Sequence, residues 1–437
     1  MYNLLQVCGC ECGKSHTAAI DDVAVGRGAI NRLPEFIEKY QANKVFILAD
    51  INTFAAAGEK VCSLLDEHAI PYSKHIFQSK HLHPDEKAVG SAAMHFDYGC
   101  DLIVGIGSGV INDIGKILSK ATGRKYIIVG TAPSMDGYAS DTSSMTLDDL
   151  KVSVQSRCAD VIIGDTDILK TAPEYMLKAG LGDMLAKFVS IAEWRIGHLI
   201  TGEYYCEKVA ELIRTALKKC VDNAQGLLRR EDAAIEAVFE GLVIGGVAMA
   251  YAGVSRPASG VEHYFSHIWD MRGLEFGTKV DLHGIQCALG TLQAVKLYET
   301  VKKQIPNENI AKSYVETFFY EAWQEELKKF LGNSAETMIV QEQREQKYDK
   351  STHNARFAKI QQNWDKILQI LDEELPTYDE LSKILETVGI PLDLQCIDID
   401  SSTAKMTFRA TKDVRDKYVL SRLAWDLGIL EDLCELI

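Results

Sequence analysis

The residues best suited to chemistry in this sequence are three histidines and one aspartate. His263 and His267 fall in Val261-Glu262-His263-Tyr264-Phe265-Ser266-His267-Ile268-Trp269-Asp270. Their i, i+4 spacing puts both imidazoles on one helical face. His283 follows in Asp281-Leu282-His283-Gly284, near the start of another helical run. Asp183 opens a helical stretch in Gly180-Leu181-Gly182-Asp183-Met184-Leu185-Ala186-Lys187, in mostly apolar company. One carboxylate with two imidazoles is a normal ligand set for a divalent transition metal that keeps positions open for substrate. Taken singly, Asp183 reads as an N-cap and each histidine as a core or surface residue. Spacing does not select which two of the three histidines bind metal.

A second group of residues suits phosphate. Gly105-Ile106-Gly107-Ser108-Gly109-Val110-Ile111-Asn112-Asp113 joins a strand to a helix. Glycines there admit close backbone approach, and a helix N-terminus offers N–H groups to an anion. The spacing is neither the G-x-G-x-x-G fingerprint nor a P-loop, which would carry a lysine. A further loop, Gly130-Thr131-Ala132-Pro133-Ser134-Met135-Asp136-Gly137-Tyr138-Ala139-Ser140-Asp141, sets hydroxyls around two carboxylates at a strand's C-terminal end. Open α/β sheets bind ligands at that end. Asp50 ends an earlier strand, where a carboxylate accepts from a ribose and repels a 2′-phosphate, or simply caps the next helix.

Cys8-Gly9-Cys10-Glu11-Cys12 and His16 make a small cluster of soft ligands. The spacing is tighter than the usual C-x₂-C knuckle, so the expectation is reduced thiols near a flexible terminus. The acidic phrases Asp148-Asp149 and Asp372-Glu373-Glu374 read as solvated surface.

The elements that must position these residues are legible in outline. Lys44–Asp50, Asp101–Gly107, Lys125–Gly130 and Val161–Asp165 read as strands, separated by helices over Thr53–Ala69 and Val110–Ser119. Near-continuous apolar strands between helices indicate a parallel sheet covered on both faces. From Thr166 onward the β pattern gives way to helical periodicity, through His198, over Glu203–Asn223 and Glu231–Ala252, and along the tail from Asn309 to Ile437. The expected domains are 1–165, α/β, and 166–437, all-helical, with a helical extension from about 309. A cleft between them is the default ligand site.

The sequence has 437 residues, of which 47% are hydrophobic and 25% charged, a composition ordinary for a globular protein. A net charge of −15 argues against a nucleic-acid binder and against docking on anionic lipid. Eleven cysteines cannot all pair within the chain. The N-terminus lacks the basic and apolar regions of a signal peptide, and no membrane span is expected. These features together point to a reducing cytoplasm.

Five phrases share a resemblance. GIGSGVINDIGK (105–116), TAPSMDGYASDTSSM (131–145), GLGDMLAK (180–187), SGVEHYFSHIWD (259–270) and DLHG (281–284) resemble, in this order, the sn-glycerol-1-phosphate dehydrogenase family. That family lies within the iron-type alcohol dehydrogenase and dehydroquinate synthase superfamily. The length and helical tail resemble its bacterial form. The resemblance implies a Rossmann-like domain joined to a helical domain, the dehydroquinate synthase-like fold. It implies reversible, metal-dependent reduction of dihydroxyacetone phosphate with NAD(H) or NADP(H), in phospholipid metabolism, by a homodimer. Asp183, His263 and His283 would hold one divalent ion, nickel in the bacterial branch or zinc in the archaeal one. His267 would face the substrate, as would Asp136, with Asp183 beside it; Asp183 and His267 would be catalytic. Gly109, Val110, Ile111, Asn112, Asp113, Thr131, Ala132, Pro133, Ser134 and Ser140 would contact the cofactor, with Asp50 on its ribose. One departure is Ile106, where many members carry glycine. The alternatives are a dehydroquinate synthase-like enzyme, which uses Glu at the position of Asp183; a glycerol dehydrogenase, against which TAPSMDGY speaks; and a non-catalytic nucleotide-binding module. No motif marks the ligands of the substrate's phosphate.

Overall fold

The computed structural model describes residues 6–7, 9–79, 81–147 and 150–437. Cys8 and the Asp148-Asp149 phrase lie outside the described residues. The chain forms two compact units, Met1–Met184 with Glu211–Val254, and Leu185–Ala210 with Ser255–Ile437.

The first unit is built on a six-stranded sheet, parallel throughout. Its strands are β1 (Asp22–Gly26), β2 (Val45–Asp50), β3 (Tyr72–Phe77), β4 (Leu102–Gly107), β5 (Lys125–Gly130) and β6 (Val161–Asp165), in the order β1-β6-β5-β4-β2-β3. The four strands legible in the sequence are the four central ones. They are covered on both faces, so their residues are apolar at nearly every position. The two that periodicity missed are the edges. Tyr72-Ser73-Lys74-His75-Ile76-Phe77 is largely half-buried and carries three polar residues in a row, Ser73 to His75. A further antiparallel hairpin, Thr142–Leu147 with Leu150–Gln155, was also unread, because its residues are mostly polar.

In register, Gly107 pairs with Gly130, so the glycine loop and the Thr131–Ser140 loop leave the sheet side by side. Helix α1 (Gly109–Thr122) follows β4 and ends on Gly123 at φ +68°. Helix α2 (Glu174–Leu185) carries Asp183 near its C-terminal end rather than opening a helix. Helix α3 (Asp232–Ala252) is long and apolar enough to cross a membrane by length and composition alone. Two-thirds of that apolar stretch, 67%, is buried within the protein. In the first unit its Phe239 fills the space over Gly130 and Gly164 and lies 5.0 Å from the Tyr138 ring. This packing makes Glu211–Val254 part of the first unit, although the β pattern ends at Asp165.

In the second unit, helices α4 (Val261–Phe276) and α5 (His283–Val301) cross closely. A Cβ at Gly290 of α5 would come within 2.7 Å of the Glu262 carbonyl oxygen of α4, so glycine sets their separation. Among the described residues every element after β6 is helical, through Leu430–Cys434.

Candidate active site

The first unit gathers one set of polar groups at the C-terminal ends of β4 and β5. Ser108 precedes α1, yet its hydroxyl does not cap that helix. It lies 2.6 Å from the Ser134 hydroxyl and donates to the Ala132 carbonyl. The N–H groups of Gly109, Val110 and Ile111 in the first turn therefore have no side-chain cap, and intrahelical acceptors do not exist for them. Asn112 donates through Nδ2 to the Gly137 carbonyl at 3.0 Å. Asp113 pairs at 2.9 Å with Lys116, which is itself fully buried and donates to the carbonyls of Gly137 and Thr142. Tyr138 donates to the Ala132 carbonyl at 2.6 Å, which fixes the turn after Thr131-Ala132-Pro133-Ser134. Ser140, half-buried, shares a hydrogen bond with Thr142 instead of the loop's other hydroxyls.

Asp50 is an N-cap in this structure. Its Oδ1 accepts from the N–H groups of Asn52 and Thr53, and Thr53 returns the bond to the Asp50 N–H. Asp136 and Asp183 meet directly: the Asp136 N–H donates to Asp183 Oδ2 at 2.9 Å, and Asp183 is fully buried. Glycine makes this contact possible, because a Cβ at Gly180 would overlap the Pro133 carbonyl.

The second unit holds the imidazoles. His263 and His283 stand edge to face with centroids 5.0 Å apart, and His267 lies 6.2 Å from His283. Each of the first two has a partner at Nδ1. Glu262 Oε1 sits 2.8 Å from Nδ1 of His263, and the Ser266 hydroxyl 2.9 Å from Nδ1 of His283. With Nδ1–H donating, each Nε2 keeps its lone pair for a cation. Sequence reasoning missed a third donor, the Cys287 thiol. One donor atom from each of His263, His283 and Cys287 lies within 4.8 Å of the others. The signal was present: His283 and Cys287 are four residues apart on α5, the same spacing that singled out His263 and His267.

Other groups that the sequence did not mark hold these histidines in place. The loop entering α4 is fixed by buried ionisable side chains. Lys187 donates to the Ala258 carbonyl and Lys417 to that of Ser259. Glu193 accepts from the N–H groups of Val261 and Leu420 and from the Tyr298 hydroxyl. Burial pushes the Glu262 carboxyl up, opposed by the Gly260 N–H and the cations Lys187 and Lys417. Burial, with the charges of Arg415 and of neighbouring groups, holds the His267 imidazole well below its ordinary pKa.

These donors fit a divalent ion. Two imidazole nitrogens and a thiol suit a borderline-soft ion such as zinc or nickel, and an oxygen-seeking ion poorly. The first-unit loops likewise fit a phosphate, through an uncapped helix N-terminus beside small residues.

Comparison with known proteins gives the family. A model of the iron-containing alcohol dehydrogenase family matches residues 24–173. The chain is 34% identical to the glycerol-1-phosphate dehydrogenase [NAD(P)+] of Halalkalibacterium halodurans, over 71% of this chain and 76% of that one. It is 27% identical to the enzyme of the same name from Geobacillus stearothermophilus, over 93% and 92%. Among solved structures, glycerol dehydrogenase from Schizosaccharomyces pombe shares the fold at a TM-score of 0.60 and 16% identity, covering 96% of this chain and 91% of that one. With an α/β sheet unit, helical imidazoles and these relatives, the chain belongs to the glycerol-1-phosphate dehydrogenase family of iron-containing alcohol dehydrogenases and is an oxidoreductase.

Proposed function

We propose that this enzyme reversibly reduces dihydroxyacetone phosphate at C2 to sn-glycerol 1-phosphate, using NADH or NADPH. Asp183, His263 and His283 would hold one divalent ion, nickel or zinc. When bound, the nicotinamide supplies the hydride and the ion a Lewis acid for the carbonyl oxygen. The reading rests chiefly on the two imidazoles, each held at Nδ1 by a hydrogen-bond partner, with one donor atom of each within 4.8 Å of the other.

The chain's own residues then have distinct tasks. The first-turn N–H groups of α1, with Thr131–Ser134, receive the cofactor's phosphates. Asp50 spends Oδ1 on its cap and offers Oδ2 to a ribose hydroxyl, which favours NADH on charge. Asp136 and His267 contact the substrate, and His267, neutral at physiological pH, relays a proton toward its oxygen. Arg415, half-buried and close enough for its charge to act on His267, holds the substrate's phosphate.

The test is oxidation of NADH and NADPH with dihydroxyacetone phosphate against dihydroxyacetone, with and without chelator. The proposal expects a strong preference for the phosphorylated ketone and loss of activity on chelation. Equal rates with both ketones would move the reading to a glycerol dehydrogenase. Full activity after exhaustive chelation would remove the metal from it.

A further inference from the structure

Cys10 and Cys12 do not sit on a loose end. Gln6–Val7 pairs antiparallel with His16–Thr17, Val7 opposite His16, so the Cys10–Cys12 segment is the tip of a hairpin. The Gly13 N–H closes a turn onto the Cys10 carbonyl at 3.0 Å, and Gly9 and Gly13 take φ of +71° and +80°. These left-handed positions fold the tip back on itself, as a metal-binding knuckle requires. His16 is 1% exposed, stacked on the Tyr251 ring at 5.3 Å. Its Nδ1 is 3.0 Å from the Tyr251 carbonyl. A carbonyl oxygen can only accept, so Nδ1 carries the proton and Nε2 the lone pair. That Nε2 faces Cys12 Sγ at 3.3 Å. One donor atom from each of Cys10, Cys12 and His16 lies within 4.8 Å of the others.

We propose that Cys10, Cys12 and His16 form a structural zinc site. The geometry that carries it is an imidazole whose far nitrogen is anchored on a backbone carbonyl while its near nitrogen points at two thiols. Two thiolates neutralise the ion's charge, and soft sulfur with imidazole selects zinc over the hard cations. Binding releases both thiol protons to solvent and forms two Zn–S bonds and one Zn–N bond, with no redox change. The fourth tetrahedral position is left to a water or a further thiol. In the first unit the ion would fasten the hairpin to the C-terminal end of α3 through His16 and Tyr251.

The test uses the full-length chain carrying His263→Ala and His283→Ala, which removes two donors of the catalytic ion and makes the result independent of the function proposed above. After purification with zinc and dialysis against a weak chelator, this protein is expected to retain about one zinc per chain. Cys10→Ser or Cys12→Ser on the same background should bring that close to none, with circular dichroism unchanged. Cobalt loaded into the otherwise unmodified chain should give a thiolate-to-metal absorption band that Cys12→Ser reduces, with turnover on added metal retained. Zinc-free background protein, or zinc retained by both cysteine variants, would overturn the site. A band identical in the parent and Cys12→Ser would overturn it too.

Discussion

Glu262 Oε1 lies 2.8 Å from His263 Nδ1, and both groups are buried. The carboxylate fixes the ring's tautomer and orientation and raises its basicity toward a cation. Partners of this kind are worth about ten- to hundredfold in metal affinity. Glu262→Gln, which keeps the shape and removes the charge, should weaken binding of nickel or zinc by that factor. Competition against a chelator of known affinity measures it.

Ser266 gives the same service to His283 with a neutral hydroxyl, so its removal should matter less. Ser266→Ala is expected to cost about tenfold in affinity or less, while His283→Ala abolishes metal binding and turnover together. Normal metal content and turnover in His283→Ala would remove that residue from the ligand set.

Gly180→Ala forces a Cβ onto the Pro133 carbonyl, a backbone atom that cannot swing aside. A loss of about 1–3 kcal/mol in stability is expected, read by thermal unfolding. The same shift separates Asp136 from Asp183, so turnover should fall further than stability does.

Arg415→Ala should raise KM for dihydroxyacetone phosphate about ten- to hundredfold, the value of a charge-assisted hydrogen bond of roughly 1.5–3 kcal/mol. KM for unphosphorylated dihydroxyacetone should hardly change. A parallel loss with both ketones would place the phosphate elsewhere.

Burial, and then the neighbouring Glu262 charge, raise the Glu193 carboxyl above its ordinary value of 4.5. Such a group binds its proton more tightly in the folded chain than in the unfolded one. Its contribution to stability is fully present below the ordinary value and is lost as pH rises through the raised one. Metal-free protein should therefore lose melting temperature as pH rises from the acid range toward alkaline. Glu193→Gln should flatten that slope, and an unchanged slope would remove Glu193 as its source.

How much of this was legible follows from what each residue must do. The central strands announced themselves because burial on both faces demands apolar side chains throughout, as in Val45–Asp50. The edge strand Tyr72–Phe77 meets no such demand and stayed hidden. His263 and His283 were visible through residue type and spacing. Glu262 was in the same phrase, but nothing in a sequence says that a glutamate is buried against the histidine beside it. Glu193, Arg415 and Lys417 were further beyond reach, because they act on α4 and its neighbours from distant points in the chain. The glycines before Asp183 suggest a helix start, yet Asp183 stands near a helix end, since neither Gly180 nor Gly182 interrupts α2. Nothing near His16 in the sequence shows its anchor, the Tyr251 carbonyl, 235 residues away.

The first compact unit is discontinuous in sequence, since Leu185–Ala210 intervenes before Glu211–Val254 completes it. During synthesis the sheet strands through Asp165 emerge well before the Phe239 that covers Gly130 and Gly164. A nascent chain stalled near residue 200 would therefore leave Gly130 and Gly164 without the ring that covers them. Chains domain-folded on the ribosome usually close in order from the N-terminus. Here the first unit is complete only once α3 has left the exit tunnel.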